Sequence, residues 1–203
     1  MNIEFLFTSL VIVVSPGTGA LYTVSAGLSG GIRAGLVAAV GCTLGIIPHM
    51  IAATTGVAAV FHSNALAFEG LKYAGVAYLL YMAWNTLREQ GAFQVEGSQA
   101  PQPALRIVRK AILINLLNPK LPMFFLAFLP QFIAVNDASP LTRMLVLSAI
   151  FMLMTLVVFA FYGAFAAFMR GHLLSRPDVL GWLRRAFAAS FVALGVKLML
   201  SRR

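Results

Sequence analysis

Two short runs place helix-breaking and polar residues inside otherwise apolar sequence: Ser15-Pro16-Gly17-Thr18-Gly19 and Asn118-Pro119-Lys120-Leu121-Pro122. Proline has no N–H, and its ring clashes with the carbonyl four residues back. Pro16 therefore frees the carbonyl of Ile12, Pro119 that of Asn115 and Pro122 that of Asn118. In a medium without water such carbonyls need protein, trapped water or ligand as partners. A proline that merely kinks a helix accounts for either run alone. The pairing favours a ligand-binding or gating role, because interruptions at corresponding places in two halves are the sequence mark of a carrier's binding site.

Lys120 is the costliest of these residues, since a lysine at mid-membrane costs about 2.5 to 3.5 kcal/mol on insertion scales. Three partners are open to it: a substrate carboxylate, the freed carbonyls nearby, or a lipid phosphate reached by snorkelling. Asn115 and Asn118 lie three apart on one helical face and add donors and acceptors beside it. His49, directly after Pro48, is the one deeply placed side chain of a type that titrates near neutrality, so proton coupling and a hydrogen-bonded packing role both fit it. Thr18, Thr23, Ser25, Thr43, Thr54 and Thr55 offer hydroxyls, which in helices commonly bond back to their own carbonyls. The acidic residues lie at the edges of the apolar stretches (Glu4, Glu69) or in polar loops (Glu89, Glu96, Asp137, Asp178). With no GxSxG, HExxH, P-loop spacing or intramembrane carboxylate pair, the chain is not expected to be an enzyme. Cys42 is the sole cysteine, which excludes an internal disulfide and a Cys-pair metal site and leaves a packing role.

The elements that must position these groups follow from composition. Sixty percent of residues are hydrophobic and ten percent charged, against about 45–50% and 25% in soluble domains. The apolar surface is concentrated in residues 5–24, 36–61, 71–87, 111–135, 144–169 and 186–196. Most approach the ~20 residues that a ~30 Å hydrocarbon core requires. The fold class expected is an all-α polytopic membrane protein with six transmembrane helices. The first basic residue, Arg33, follows the first apolar stretch, so that stretch is read as a span and not as a cleaved signal sequence.

The net charge of +9 is distributed as a topology signal and not as a nucleic-acid groove. Arg33 stands in the first turn, Arg88, Arg106, Arg109 and Lys110 flank one loop, and Arg170, Arg176, Arg184 and Arg185 populate another. These nine would be cytoplasmic, against five outside (Lys72, Arg143, Lys197, Arg202 and Arg203), with both termini out. Residues 91–109 read as a polar cytoplasmic linker between a first half (1–90) and a second (110–203) of three helices each. An odd number of spans per half makes the second half enter from the opposite side, which permits two inverted three-helix repeats. Gly30-Gly31-Ile32-Arg33 reads as a tight turn, and Gly41 and Gly45 as a site of close helix packing. Tyr73, Tyr78, Tyr81 and Trp84 form an interfacial or packing set.

Several motifs in order resemble the LysE/RhtB family of bacterial amino-acid exporters. In the first half these are Ser15-Pro16-Gly17, the Gly-Gly-x-Arg-Ala-Gly run from Gly30 to Gly35, Gly41, Gly45, His49, and Leu71-Lys72-Tyr73-Ala74-Gly75 followed by Ala77-Tyr78-Leu79. In the second half they are Asn115-Leu116-Leu117-Asn118-Pro119-Lys120, Phe124-Phe125 and Phe128-Leu129-Pro130-Gln131-Phe132. The resemblance implies a multi-pass protein of the bacterial inner membrane that exports amino acids or their derivatives by proton antiport, without a cofactor, and is open to homo-oligomerisation. Its substrate contacts would be Pro16, Gly17, Thr18, Gly19, Asn115, Asn118, Pro119 and Lys120, with His49 as the proton-coupling candidate. The chain departs from the family pattern where the usual Pro-Gly-Pro-Asn becomes Pro16-Gly17-Thr18-Gly19, and at Ile46, where many members carry a polar residue. An exporter of another small solute, a cation or a drug-like compound, is the alternative; the absence of clustered His, Cys and carboxylates argues against a metal cargo. A structural or assembly protein of the membrane is a third reading.

Overall fold

The computed structural model describes residues 3–15, 17–63, 102–118, 120–134 and 137–169, with isolated positions between 73 and 88 and between 185 and 200. Pro16, Pro119, most of the third and sixth expected spans, and residues 91–101 of the expected linker lie outside the described residues, as do Lys72, Arg170, Arg176, Arg184, Lys197, Arg202 and Arg203. Among the described residues the chain is helical, without a strand. The elements are α1 (Ile3–Val14), α2 (Thr18–Leu44), α3 (Ile47–Ser63), α4 (Ala104–Leu116), α5 (Lys120–Met123) and α6 (Pro140–Phe168). A π turn, Phe124–Phe128, and a 3-10 turn, Leu129–Phe132, continue α5.

α2 is one helix only in its hydrogen-bond pattern. At Gly31 the backbone takes φ 75° and ψ −173°, a conformation essentially reserved to glycine, and the chain folds back there. Thr23 Oγ1 and the carbonyl of Gly19 lie 3.8 and 3.6 Å from Cys42 Sγ, whereas a straight helix would separate residues 19 and 42 by roughly 34 Å. Residues 18–30 and 32–44 are therefore two antiparallel arms, and the turn expected at Gly30 to Arg33 is made by a single residue.

The arms close on α4 and α6 through missing side chains. A Cβ at Gly27 would overlap the carbonyl of Gly163 on α6, and one at Gly35 would stand 2.8 Å from the Gly163 Cα. A Cβ at Gly41 would stand 3.0 Å from the backbone of Val108, and one at Gly45 would stand 2.9 Å from the carbonyl of Ile112, both on α4. The close packing expected at Gly41 and Gly45 is thus the α2–α4 contact. α4 starts at Ala104 behind Pro103, so residues 104–109, placed in the linker by the sequence reading, form its first turns. Their periodicity explains it: Ile107 and Ala111 face inward while Arg106, Arg109 and Lys110 face out.

α6 buries Met144, Leu147, Ser148, Phe151, Thr155, Phe159, Gly163 and Ala166 along one stripe and exposes Leu153, Val157, Phe161 and Phe165. Its 29 residues span roughly 43 Å, enough to cross a bilayer, and large apolar side chains on its outer face suit lipid. α4 and the segment from Lys120 to Phe132 meet at a 53° bend. Phe124 and Phe125 anchor that segment in the core, Phe124 stacking on Phe151 at 3.9 Å between ring centroids.

Because the neighbours of Gly163 are backbone atoms of Gly35, no rotamer change can make room there. Gly163→Val is expected to destabilise the protein by about 1–3 kcal/mol or more, read as a lowered unfolding midpoint in detergent, while Phe161→Leu on the lipid side leaves the midpoint nearly unchanged.

Candidate functional site

The two proline breaks meet. Lys120 is 6% exposed, and its Nζ donates to the carbonyl of Ile12 at 2.9 Å and to that of Ser15 at 2.8 Å. Of the three partners open to this lysine, the structure selects carbonyls: that of Ile12, which Pro16 frees, and that of Ser15, both at the end of α1. The negative end of the α1 dipole faces the ammonium. Two charge-assisted bonds, at about 1.5–3 kcal/mol each, match or exceed the roughly 2.5–3.5 kcal/mol insertion cost of the lysine.

The three carbonyls freed by Pro16, Pro119 and Pro122 each have a partner. Ile12 also accepts from Ser15 Oγ at 2.9 Å, and Ser15 Oγ reaches the carbonyl of Val11 at 2.7 Å. The carbonyl of Asn115 accepts from the backbone N–H of Asn118 at 3.1 Å and lies 3.1 Å from His49 Nε2. The carbonyl of Asn118 accepts from the N–H of Leu121 at 3.2 Å. At the end of α1, Tyr162 of α6 donates its hydroxyl to the carbonyl of Val14 at 2.8 Å.

A relay of amides ties the second break to α2. The N–H of Lys120 donates to Asn118 Oδ1 at 3.1 Å, Asn118 Nδ2 to Asn115 Oδ1 at 3.2 Å, and Asn115 Nδ2 to the carbonyl of Cys42 at 2.6 Å. Asn115 and Asn118 are buried, and each uses both its donor and its acceptor side, so neither can move without breaking a bond. Gly17 lies against this relay: a Cβ there would stand 3.3 Å from Lys120 Nζ and 3.4 Å from Asn118 Nδ2. Gly19 abuts the carboxamide of Asn115 and the ring of Phe159.

Gly17, Gly19, Asn115, Asn118 and Lys120 are thus brought together. Thr18 is exposed, whereas these five are buried; Pro16 and Pro119 lie outside the described residues. His49 joins the cluster from α3, its Nε2 acting as the N–H donor because the atom facing it is the carbonyl of Asn115. Thr23, Thr43, Thr54 and Thr55 bond back to their own helices. Sequence reasoning passed over Tyr162 and the acceptor role of the Cys42 carbonyl. The only signal for Tyr162 was a hydroxyl in an otherwise apolar helix, and a backbone acceptor leaves no signal at all.

Asn115→Leu keeps the side-chain volume but removes the donor to Cys42 and the acceptor for Asn118. It is expected to cost about 1–3 kcal/mol for each buried group left unpaired, seen as a lower thermal midpoint in detergent. Thr18→Val should stay within about 0.5 kcal/mol of the parent.

The family model described as LysE type translocator matches residues 10–202. The "Homoserine/homoserine lactone efflux protein" of Salmonella typhimurium is 31% identical, over 98% of this chain and 95% of its own length. An "Uncharacterized membrane protein" of Vibrio cholerae is 31% identical over 97% and 95%, and the "Leucine efflux protein" of an Enterobacter species is 27% identical over 90% of each chain. No solved structure matches. With nearly its whole length matched and its helices apolar enough to span a bilayer, the chain belongs to the LysE family of translocators, which are membrane exporters and not enzymes.

Proposed function

We propose that the protein exports amino acids or amino-acid derivatives across the bacterial cytoplasmic membrane by proton antiport, as a six-helix carrier of two inverted three-helix halves. The observation that carries this reading is the ammonium of Lys120, from one half, held by the carbonyls of Ile12 and Ser15 at the break of the other. An α-amino acid carries the two groups that can exchange with this pair. Its carboxylate takes the third hydrogen of the lysine ammonium and the backbone N–H groups opening α2 behind Gly17, which no side chain caps. Its ammonium replaces Lys120 on the carbonyls at the end of α1. Loading thus swaps an internal ion–dipole contact for two substrate contacts and loosens the joint between the halves, as alternating access requires. The family membership and the relatives named for homoserine and leucine efflux support the substrate class.

Pro16 and Pro119 keep the two breaks open, Gly17 and Gly19 leave room for the cluster, and Asn115 and Asn118 orient the lysine. Thr18, exposed beside Gly17, faces the solute on entry. His49 couples the proton: protonation at Nδ1 makes the ring cationic and tightens its hold on the Asn115 carbonyl, biasing one state of the carrier.

Reconstituted vesicles loaded with a panel of labelled amino acids test this. Counterflow of at least one is expected, with a loss of tenfold or more in Lys120→Ala and Asn118→Ala variants that still purify as monodisperse protein. His49→Gln should retain counterflow but lose uptake driven by a pH gradient. Counterflow of cations or drug-like compounds without any amino acid, or full activity in both the Lys120 and Asn118 variants, would sink the reading.

A further inference from the structure

The first turns of α4 carry a basic groove that transport does not use. Arg106, Arg109 and Lys110 line it together with Pro103, Leu105 and Leu113, and all three cations are exposed. Among the described residues the salt bridge is Arg143–Asp137, which involves none of them. The groove is held in place from below: Ile107 and Ala111 are buried, and Tyr22 donates to the carbonyl of Ile107 at 3.4 Å. The Tyr22 ring lies 5.5 Å from Lys110 Nζ, near enough for a cation–π contact.

Positions 106, 110, 113 and 117 follow one another on a single helical face. The cations at its start give way to Leu113 and Leu117, which are 54% and 72% exposed. A cationic head followed by an apolar track is complementary to an amphiphile with an anionic head. A free phosphate would leave the leucines without a partner, and a nucleic acid would gain nothing from them. The location agrees, since α4 opens a segment apolar enough to cross a bilayer, and basic residues at the start of such a segment stand at headgroup depth.

We propose that this groove is a binding site for an anionic phospholipid, its phosphate held by Arg106, Arg109 and Lys110 and an acyl chain lying along Leu113 and Leu117. The site sits on the helix that carries Asn115, so an occupying lipid would brace the element that positions the buried cluster.

The test is native mass spectrometry of the full chain in neutral detergent, titrated with phosphatidylglycerol or with phosphatidylcholine of the same acyl composition. Phosphatidylglycerol adducts are expected in several-fold excess. Arg106→Gln, Arg109→Gln and Lys110→Gln together should reduce them to the phosphatidylcholine level, and excess inorganic phosphate should not displace them. Arg143→Gln, a cation already paired with Asp137, should keep the excess. If the triple variant does not purify, Arg106→Gln and Arg109→Gln singly must each lower the ratio. Equal retention of the two lipids, an unchanged ratio in these variants, or displacement by inorganic phosphate overturns the proposal.

Discussion

A proline inside an apolar helix leaves a carbonyl that nothing in hydrocarbon can satisfy, and the centre of this protein is organised around that debt. The carbonyls of Ile12 and Ser15 at the end of α1 receive Lys120 Nζ, and that of Val14 receives the hydroxyl of Tyr162. Donors arrive from α5 and α6, elements more than a hundred residues downstream. Ser15 Oγ supplies one donor locally, but the ammonium and the phenol that complete the end of α1 come from these downstream elements, so the break in α1 is closed by packing them against it. The buried lysine is subject to the same logic in reverse: it is tolerable in an apolar interior only because two backbone dipoles wait for it.

Around this joint the rest of the fold is a problem of approach distance. A short side chain such as that of Asn115 bridges two helices only where they approach more closely than large interfacial side chains permit. Gly27 and Gly35 on the two arms of α2 bring Gly163 of α6 to backbone contact, and Gly41 and Gly45 bring α4 equally near. The reversal at Gly31 places both arms on the same neighbours. These glycines contribute no hydrogen bond to the cluster, yet the bond from Asn115 to the carbonyl of Cys42 depends on the approach that Gly41 and Gly45 allow.

Much of this was legible in the sequence, and the limits of legibility have a physical reason. Proline chemistry is local, so the freed carbonyls of Ile12, Asn115 and Asn118 can be named from three residues alone, as can the turn near Gly31 and the close packing at Gly41 and Gly45. The partners are not local. Lys120 could be singled out as a donor in need of acceptors, but its choice of Ile12 over a lipid phosphate depends on how two distant segments dock. The start of α4 at Ala104 was hidden by the charge of Arg106, Arg109 and Lys110, which a polar linker and the wet face of an amphipathic helix display alike. Thr18 shares a motif with Gly17 and Gly19 and yet is exposed where they are buried, because a helix turns by about 100° per residue and neighbours in sequence need not share a face.

The departure of this chain from its family's pattern acquires a reason from the same geometry. The resemblance leads to the expectation of an asparagine at the place of Gly19, and a Cβ at that position would overlap Oδ1 of Asn115. A side chain at 19 and the observed placement of Asn115 are mutually exclusive. With glycine there, the carboxamide of Asn115 lies against the start of α2, where it accepts from Asn118 and donates to the carbonyl of Cys42. The amide at this point of the cluster comes from α4. α1 and α2 contribute chiefly backbone carbonyls and absent side chains to the cluster, with the hydroxyl of Ser15 and the ring of His49 from α3 beside them, while α4 and α5 contribute the carboxamides and the ammonium. The joint is therefore chemically asymmetric: backbone acceptors at the end of α1 face side-chain donors from α5 and α6.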